Sequence, residues 1–509
     1  MGIIKRQSLK SSIVNYIGVL LGVVFFNFIF PHLISKEYLG LIGLLQNIMW
    51  VFAALPALGL PLIMYKYFSN WKDEDTLSHF NAFALLAMAM ASLLFVGLYM
   101  LLKQPIVAFY QSKSALFLPY YLLVIPLVIV QAYTQYFEMY CTMKLRVAVP
   151  TFLKEIATRL LIILLVYLFV YKVLDEQQFI YGFAVVYFIS WIILMVYAIK
   201  GLHFKAFKPL AYLKDNTDIR EQFAFGGSLL LLSCMFSIQN FIDGIMIPAY
   251  LGLGAFGIYG RPLVLGLMIH VPFRAISQIS QPIIREAWFN NDLQKIKDLH
   301  KSISKNLLLI GGFLFTLLVA NTDGLFRLLP PEYESGKGVL YIIATGRLLD
   351  MGFGLNNEIL YASKHYRYIV YLAVMIVLTT IGLNMLLIPI YGMNGAALAV
   401  TVSLTLFNIF KTWIIYRKFG FHCFSKHYIT LTLLILAVIS TLHFIPFITF
   451  MKSHMFMNAL YNVVFKSILG SVFFLVPLYF LKVSTDFNDF VKLILNGKIF
   501  KGGHKLDEL

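Results

Sequence analysis

Runs of about 20 mostly apolar residues alternate with short polar connections along this chain. They fall near residues 12–34, 39–64, 80–102, 116–139, 151–171, 178–199, 223–250, 256–283, 304–325, 338–361, 366–390, 394–416, 428–450 and 460–482. Twenty residues of helix cross about 30 Å of hydrocarbon at about 1.5 Å per residue, so the pattern predicts fourteen membrane-crossing helices. The ten-residue alternation of a membrane β-barrel is not found.

Charge sits between the runs and is unevenly shared. With both termini in the cytoplasm, the inner connections hold roughly 29 Lys and Arg and the outer ones roughly 7. Arg159, Arg261, Arg274, Arg347 and Lys466 fall inside spans. The outer loops are short, the longest running roughly 321–337, which leaves no outer domain. The longest inner connections, 200–222 and 285–304, mix charge with apolar residues and predict amphipathic helices along the membrane surface.

Composition agrees with this pattern. Of 509 residues, 60% are hydrophobic and 13% charged, whereas a soluble domain needs about 25% charged residues to cover its surface. The reading is an all-α polytopic membrane protein in which the net charge of +17 faces anionic membrane lipids and not nucleic acid. Three widely spaced cysteines make neither a disulfide framework nor a metal motif. No HExxH or P-loop is present, no cofactor is implied, and a polysaccharide polymerase or ligase would be expected to place catalytic residues on a sizeable outer loop. The basic N-terminus resembles a signal peptide, but its apolar run lacks a small-residue cleavage pattern and reads as a retained first span. The C-terminal HKLDEL reads as a solvated tail.

One stretch recurs. Pro31 to Gly43 reads PHLISKEYLGLIG and Pro248 to Gly260 reads PAYLGLGAFGIYG. At a constant offset of 217, Pro31 meets Pro248, Gly40 meets Gly257 and Gly43 meets Gly260, each set at the corner between the first two spans of a six-span half. A third corner, IPIYGMNGAALAV from Ile388, carries Pro389, Gly392 and Gly395, whose small neighbours let helices approach closely in lipid. The repeat predicts an N-terminal lobe at 1–199, an inter-lobe linker at 200–222, a C-terminal lobe at 223–418, peripheral spans at 419–482 and a cytoplasmic tail at 483–509.

LLIPIYGMNGAALAV at 386–400, DGIMIPAYLGLGAFGIYG at 243–260 and KEYLGLIGLLQ at 36–46 resemble the polysaccharide flippases of the MOP exporter superfamily. That superfamily also includes the MATE drug exporters and lipid II flippases. The resemblance implies two six-helix lobes in a V around a central cavity, plus two peripheral helices. It implies movement of a polyprenyl-pyrophosphate-linked oligosaccharide, for O-antigen, capsule or exopolysaccharide, from the inner to the outer leaflet of a bacterial inner membrane. Other polysaccharide-assembly membrane proteins would be its partners. The superfamily's other cargoes stay open as alternatives.

Such a cargo needs cations for its pyrophosphate and polar or aromatic partners for its sugars. Arg347, Asp350, Gly354 and Glu358 are spaced by 3, 4 and 4, placing them on one face of a continuous tenth span. That face either lines the cavity or holds only an Arg347–Asp350 pair, and Asp350 and Glu358 are candidate ion-coupling groups. Arg274 either captures the diphosphate from the inner leaflet or snorkels to headgroups. Asp243 and Arg261 either lock the seventh and eighth spans together or face the cavity. Gln46, Asn47 and Asn240 either join helices by hydrogen bonds or touch sugar. Glu155 and Arg159 read as an ion pair, and Pro56, Gly59 and Pro61 as a bend in the second span.

Overall fold

The computed structural model describes residues 14–68, 71, 74–200, 212, 219–365, 367–449, 455–484, 487–489 and 491–492. Most of the predicted linker 200–222, and the HKLDEL end, lie outside them. Among the described residues every regular element is helical. We label α1 Val14–Leu33, α2 Lys36–Ala57, α3 Leu60–Tyr67, α4 Asp75–Leu101, α5 Ala115–Met143, α6 Thr158–Val170, α7 Glu176–Ile199, α8 Ile219–Phe241 and α9 Asp243–Leu251. There follow α10 Leu253–Leu267, α11 Val271–Phe289, α12 Leu293–Ala320, α13 Lys337–Phe353, α14 Asn356–Ala362, α15 Arg367–Tyr391, α16 Met393–Phe419, α17 His427–His443 and α18 Met455–Leu481.

Among the described residues, eleven helical stretches are long and apolar enough to cross a membrane, or twelve if a pair bent by 45° at the end of α13 forms one span. The expected fourteen is not reached on length and apolarity alone. The fifth predicted span is divided by a π turn, Leu153–Ala157, ahead of α6, and α17 is only 17 residues long. Leucines on α4 are largely exposed, Leu93 at 73% and Leu101 at 80%, as a lipid-facing surface requires.

One further expectation changes and another is met. The inner connection 285–304 is no separate surface helix. α11 and α12 run through it, and Asp292 caps α12 by accepting from the Lys295 amide at 2.9 Å. The bend in the second predicted span sits where Leu58 and Gly59 both take positive φ, between α2 and α3. Gly59 has no room for a side chain there because the Gly226 carbonyl lies against it.

The chain forms two compact units. One comprises residues 1–264 and 373–400; the other comprises 265–372 and 401–509. The first centres on α2, α3, α4, α5 and α7, with Met64, Phe80, Met88, Tyr136 and Leu194 in its core. In the second, Leu308 and Leu309 of α12 meet Leu434, Ile435 and Val438 of α17 and Phe474 and Leu478 of α18.

Candidate functional site

The repeated corner lies in the first unit. Gly40 of α2 rests on the carbonyl of Leu253, and Gly257 of α10 rests on the carbonyl of Lys36, so that a Cβ on either would collide with backbone. Lys36 and Leu253 are themselves related by the offset of the repeat. The two copies therefore pack on each other through a reciprocal glycine contact. Gly43 lies against the Phe256 ring, whereas a Cβ on Gly260 would meet nothing within 4 Å. The chain turns at Gly252 in the second copy and at extended Ile34 and Ser35 in the first, not at the aligned glycines. Pro31 is buried, and the Pro248 carbonyl accepts from Ser114 Oγ at 2.6 Å. At the third corner Gly392 takes a positive φ, Gly395 rests on the Leu387 carbonyl and Pro389 is exposed.

Polar residues predicted near this corner hold protein groups. Asp243, 3% exposed, accepts from the Tyr259 hydroxyl at 2.6 Å and the Gly244 amide at 2.9 Å. Arg261 donates to the Phe26 carbonyl of α1 and, at 3.4 Å, to the Gly257 carbonyl; its own carbonyl accepts from Asn27 at 3.3 Å. Gln46 donates to the Tyr187 hydroxyl at 2.9 Å, Asn47 packs against Gly244, and exposed Asn240 donates to the Phe236 carbonyl of its own helix. Apart from that of Asn240, these contacts fasten helices together. Arg159, likewise, pairs with Glu155 at 2.7 Å and donates to the Gly18 carbonyl.

The second unit gathers a different set. Asp350 is the hub: its carboxylate lies 3.0 Å from His270 Nε2 and 3.9 Å from Arg347 Nη1, and it accepts from Asn408 Nδ2 at 2.7 Å. Lys411, 2% exposed, donates to Asn357 Oδ1 at 3.1 Å and lies 4.1 Å from the centre of the Phe407 ring. Glu358, 8% exposed, accepts from Ser277, which in turn accepts from Gln281 at 3.4 Å.

Two lines of side chains thus meet. From the start of α11 come His270, Ser277 and Gln281; from α13 and α14 come Arg347, Asp350 and Glu358, with Asn408 and Lys411 of α16 beside them. Arg274 stands one turn from both His270 and Ser277 on the same helical face, exposed and without an ion pair or hydrogen bond among the described residues. A 3₁₀ turn, Met268–His270, with Pro272 just after it, sets that face off from α10.

The predicted continuous stripe on the tenth span needs correction. α13 ends at Phe353, Gly354 has φ +66°, and α14 starts again at Asn356, so Glu358 is not carried on the helix of Arg347 and Asp350. The two carboxylates meet the α11 face two turns apart, Asp350 at His270 and Glu358 at Ser277, with the break in the chain between them. His270, Ser277, Asn408 and Lys411 were missed by the sequence reading. Lys411 carried a usable sign, a cation within the twelfth apolar run three residues after an Asn; His270 carried none. Counting Arg274, Arg347 and Lys411 against Asp350 and Glu358, the seam has an excess of one positive charge with His270 neutral. Among the described residues no group of His, Cys, Asp and Glu has the arrangement of a metal site.

Comparison with known proteins bears on this arrangement. The family model for polysaccharide biosynthesis proteins matches residues 4–289. Among solved structures, the chain is similar to the lipid II flippase MurJ in an inward closed conformation, with TM-score 0.69, 12% identity, and coverage of 93% of this chain and 99% of that one. It is also similar to an inward-facing multidrug resistance MATE family transporter of the MOP superfamily, with TM-score 0.61, 12% identity, and coverage of 79% and 94%. At these identities the likeness is one of fold. No curated protein matches the sequence.

Proposed function

Because the chain belongs to the polysaccharide biosynthesis protein family, a family of multi-pass membrane proteins in the flippase and exporter group, we propose that it flips a polyprenyl-pyrophosphate-linked oligosaccharide from the inner to the outer leaflet by alternating access. The observation that carries this reading is the cationic seam around Asp350, which joins a buried Lys411, a half-buried Arg347 and an exposed Arg274 on apolar helices. Unbalanced cations are costly in such surroundings, by about 2.5–3.5 kcal/mol each on the mildest scale, and an anionic cargo offsets that cost.

Arg274 and Arg347 take the pyrophosphate in this reading, each able to offer a two-pronged fork to phosphate oxygens. Lys411 stays in the wall and balances Asp350 and Glu358 while the cargo passes. Asp350, reached by His270, and Glu358 are the proposed ion-coupling groups. The chain sits in a bacterial inner membrane with both termini cytoplasmic, its basic connections facing anionic lipid.

MATE exporters and lipid II flippases share the fold. A cation exporter is disfavoured by the positive excess of the seam, whereas lipid II carries the same pyrophosphate and differs in its sugars. The deciding experiment replaces Arg274, Arg347 and Arg261 by Ala and measures inner-leaflet accumulation of lipid-linked oligosaccharide at matched protein abundance. Arg274→Ala and Arg347→Ala should accumulate it, while Arg261→Ala should act mainly through abundance. Normal flipping by all three at normal abundance defeats the cationic-seam reading. Rescue of lipid II transport but not of oligosaccharide export would move the assignment to the lipid II branch.

A further inference from the structure

In the proposed reading the seam answers the charge of the cargo, and its sugars need a surface of their own. Within the first unit, α5 and α8 both pack on α2 and α3, which lie between them as a floor. Beside the break at Leu58 and Gly59 these elements frame a cavity of about 270 Å³. It has room because Ala57 and Gly59 bring almost no side chain to the floor.

The walls are polar although the helices are apolar. Gln135, Glu138 and Thr142 are spaced by 3 and 4 along one face of α5, and Ser233 joins them from α8. The side chains of Gln135 and Ser233 make no hydrogen bond among the described residues. The Thr142 hydroxyl donates to the Glu138 carbonyl at 2.8 Å, which leaves its lone pairs to accept. The Glu138 carboxylate lies 3.4 Å from Lys154 Nζ, and that ammonium sits 5.3 Å from the centre of the Trp50 ring. Donors and acceptors are thus both present, and the one carboxylate is balanced by its lysine.

Such walls suit a neutral ligand that carries several hydroxyls. A hydroxyl donates and accepts at once; Gln135 meets it with a carbonyl and an amide, Ser233 with either role, and Thr142 and Glu138 as acceptors. A free cation or anion finds no uncompensated charge here. The volume falls just short of the about 300 Å³ at which small-molecule sites begin, which limits the occupant to one ring of a glycan. We propose that this cavity is a subsite for one monosaccharide unit of the cargo, with Gln135 and Ser233 reading its hydroxyls. The proposal rests on the flippase reading and adds selection to it. A pyrophosphate is common to every cargo of this class, whereas a ring hydroxyl is not. A site built to hydrogen-bond a hydroxyl rejects an analogue that lacks it, because its own polar groups are then left unpaired.

The purified full chain in nanodiscs is titrated with two probes, bare undecaprenyl pyrophosphate and lipid-linked oligosaccharide extracted from its own host membranes. Gln135→Leu should weaken binding of the oligosaccharide lipid about tenfold and Ser233→Ala about threefold, each sparing the bare lipid. Arg347→Ala should weaken both lipids alike. If both wall variants bind the two lipids as the unsubstituted chain does, water alone fills the cavity and the proposal falls. Equal losses for the two lipids in Gln135→Leu and Ser233→Ala would overturn it as well, since the walls would then act through the fold. Sugar-selective losses beside an unaffected Arg347→Ala would uphold the subsite and remove the cationic seam, and a chain that binds neither lipid would overturn both.

Discussion

Gly40 and Gly257 each rest on a carbonyl of the other's helix, Leu253 and Lys36 respectively, and all four residues are paired by a single offset of 217 positions. A contact of this kind is what a pseudo-two-fold axis between two copies of a corner produces. The glycines are therefore fixed by each other's backbone and not by turn geometry.

Alanine at either position should separate α2 from α10. The collision is with backbone, which cannot rotate away, so Gly40→Ala and Gly257→Ala are each expected to cost about 1–3 kcal/mol. Gly260→Ala supplies the contrast. Its Cβ meets nothing within 4 Å, and replacing a helical glycine should be neutral or gain up to about 1 kcal/mol. Thermal unfolding and membrane abundance of the three variants check this; equal losses at all three positions would remove the reciprocal contact as the cause.

Lys411 should be costly to remove alone and cheaper to remove with its neighbour. Deleting one member of a buried charged cluster typically costs about 3–5 kcal/mol. Lys411→Ala leaves Asp350 paired with half-buried Arg347 and Glu358 with its Ser277 hydrogen bond. In the double variant with Asp350→Asn, part of that loss, about 0.5–3 kcal/mol, should return as coupling. Strict additivity in denaturation of the four proteins of the cycle would show that the two do not interact.

Surface pairs should behave differently. Lys337 bridges Asp323 at 2.9 Å and Glu334 at 3.0 Å, but both acidic side chains are more than half exposed. Lys337→Ala is expected to change stability by less than about 1 kcal/mol and to leave transport intact. A larger change, read as a Tm shift, would indicate that these contacts brace the loop ahead of α13.

The proposed cargo makes net flipping sensitive to voltage. With the cytoplasm negative, moving a charge of about −2 outward is downhill by about 4–5 kcal/mol per 100 mV. Collapsing the potential in vesicles while holding ion gradients constant should slow net flipping. An unchanged rate would assign the driving force to the ion gradients alone.

Much of the framework could be read from the chain. Apolar length and the Lys and Arg bias are local and additive, so they marked the spans and proposed their orientation, and the repeated Pro and Gly spacing pointed to the corner before any contact was known. The candidate site was half legible. Arg347, Asp350, Glu358 and Arg274 stood out because a charge in an apolar run is expensive wherever it lands. Arg261 and Asp243 stood out equally; Arg261 donates to the Phe26 and Gly257 carbonyls and Asp243 accepts from Tyr259, a difference that nothing in the spacing marks.

The sequence by itself determined an all-helical membrane chain, most of its spans and the glycines at its corner, because these depend on periodicity and composition along a single segment. Only the tertiary structure decided that the tenth span breaks at Gly354 and that His270, Asn408 and Lys411 close around Asp350. Ser304 excludes a side chain at the break from another helix, and the closure depends on which faces of α11, α13, α14 and α16 meet, a long-range packing outcome that no local pattern encodes.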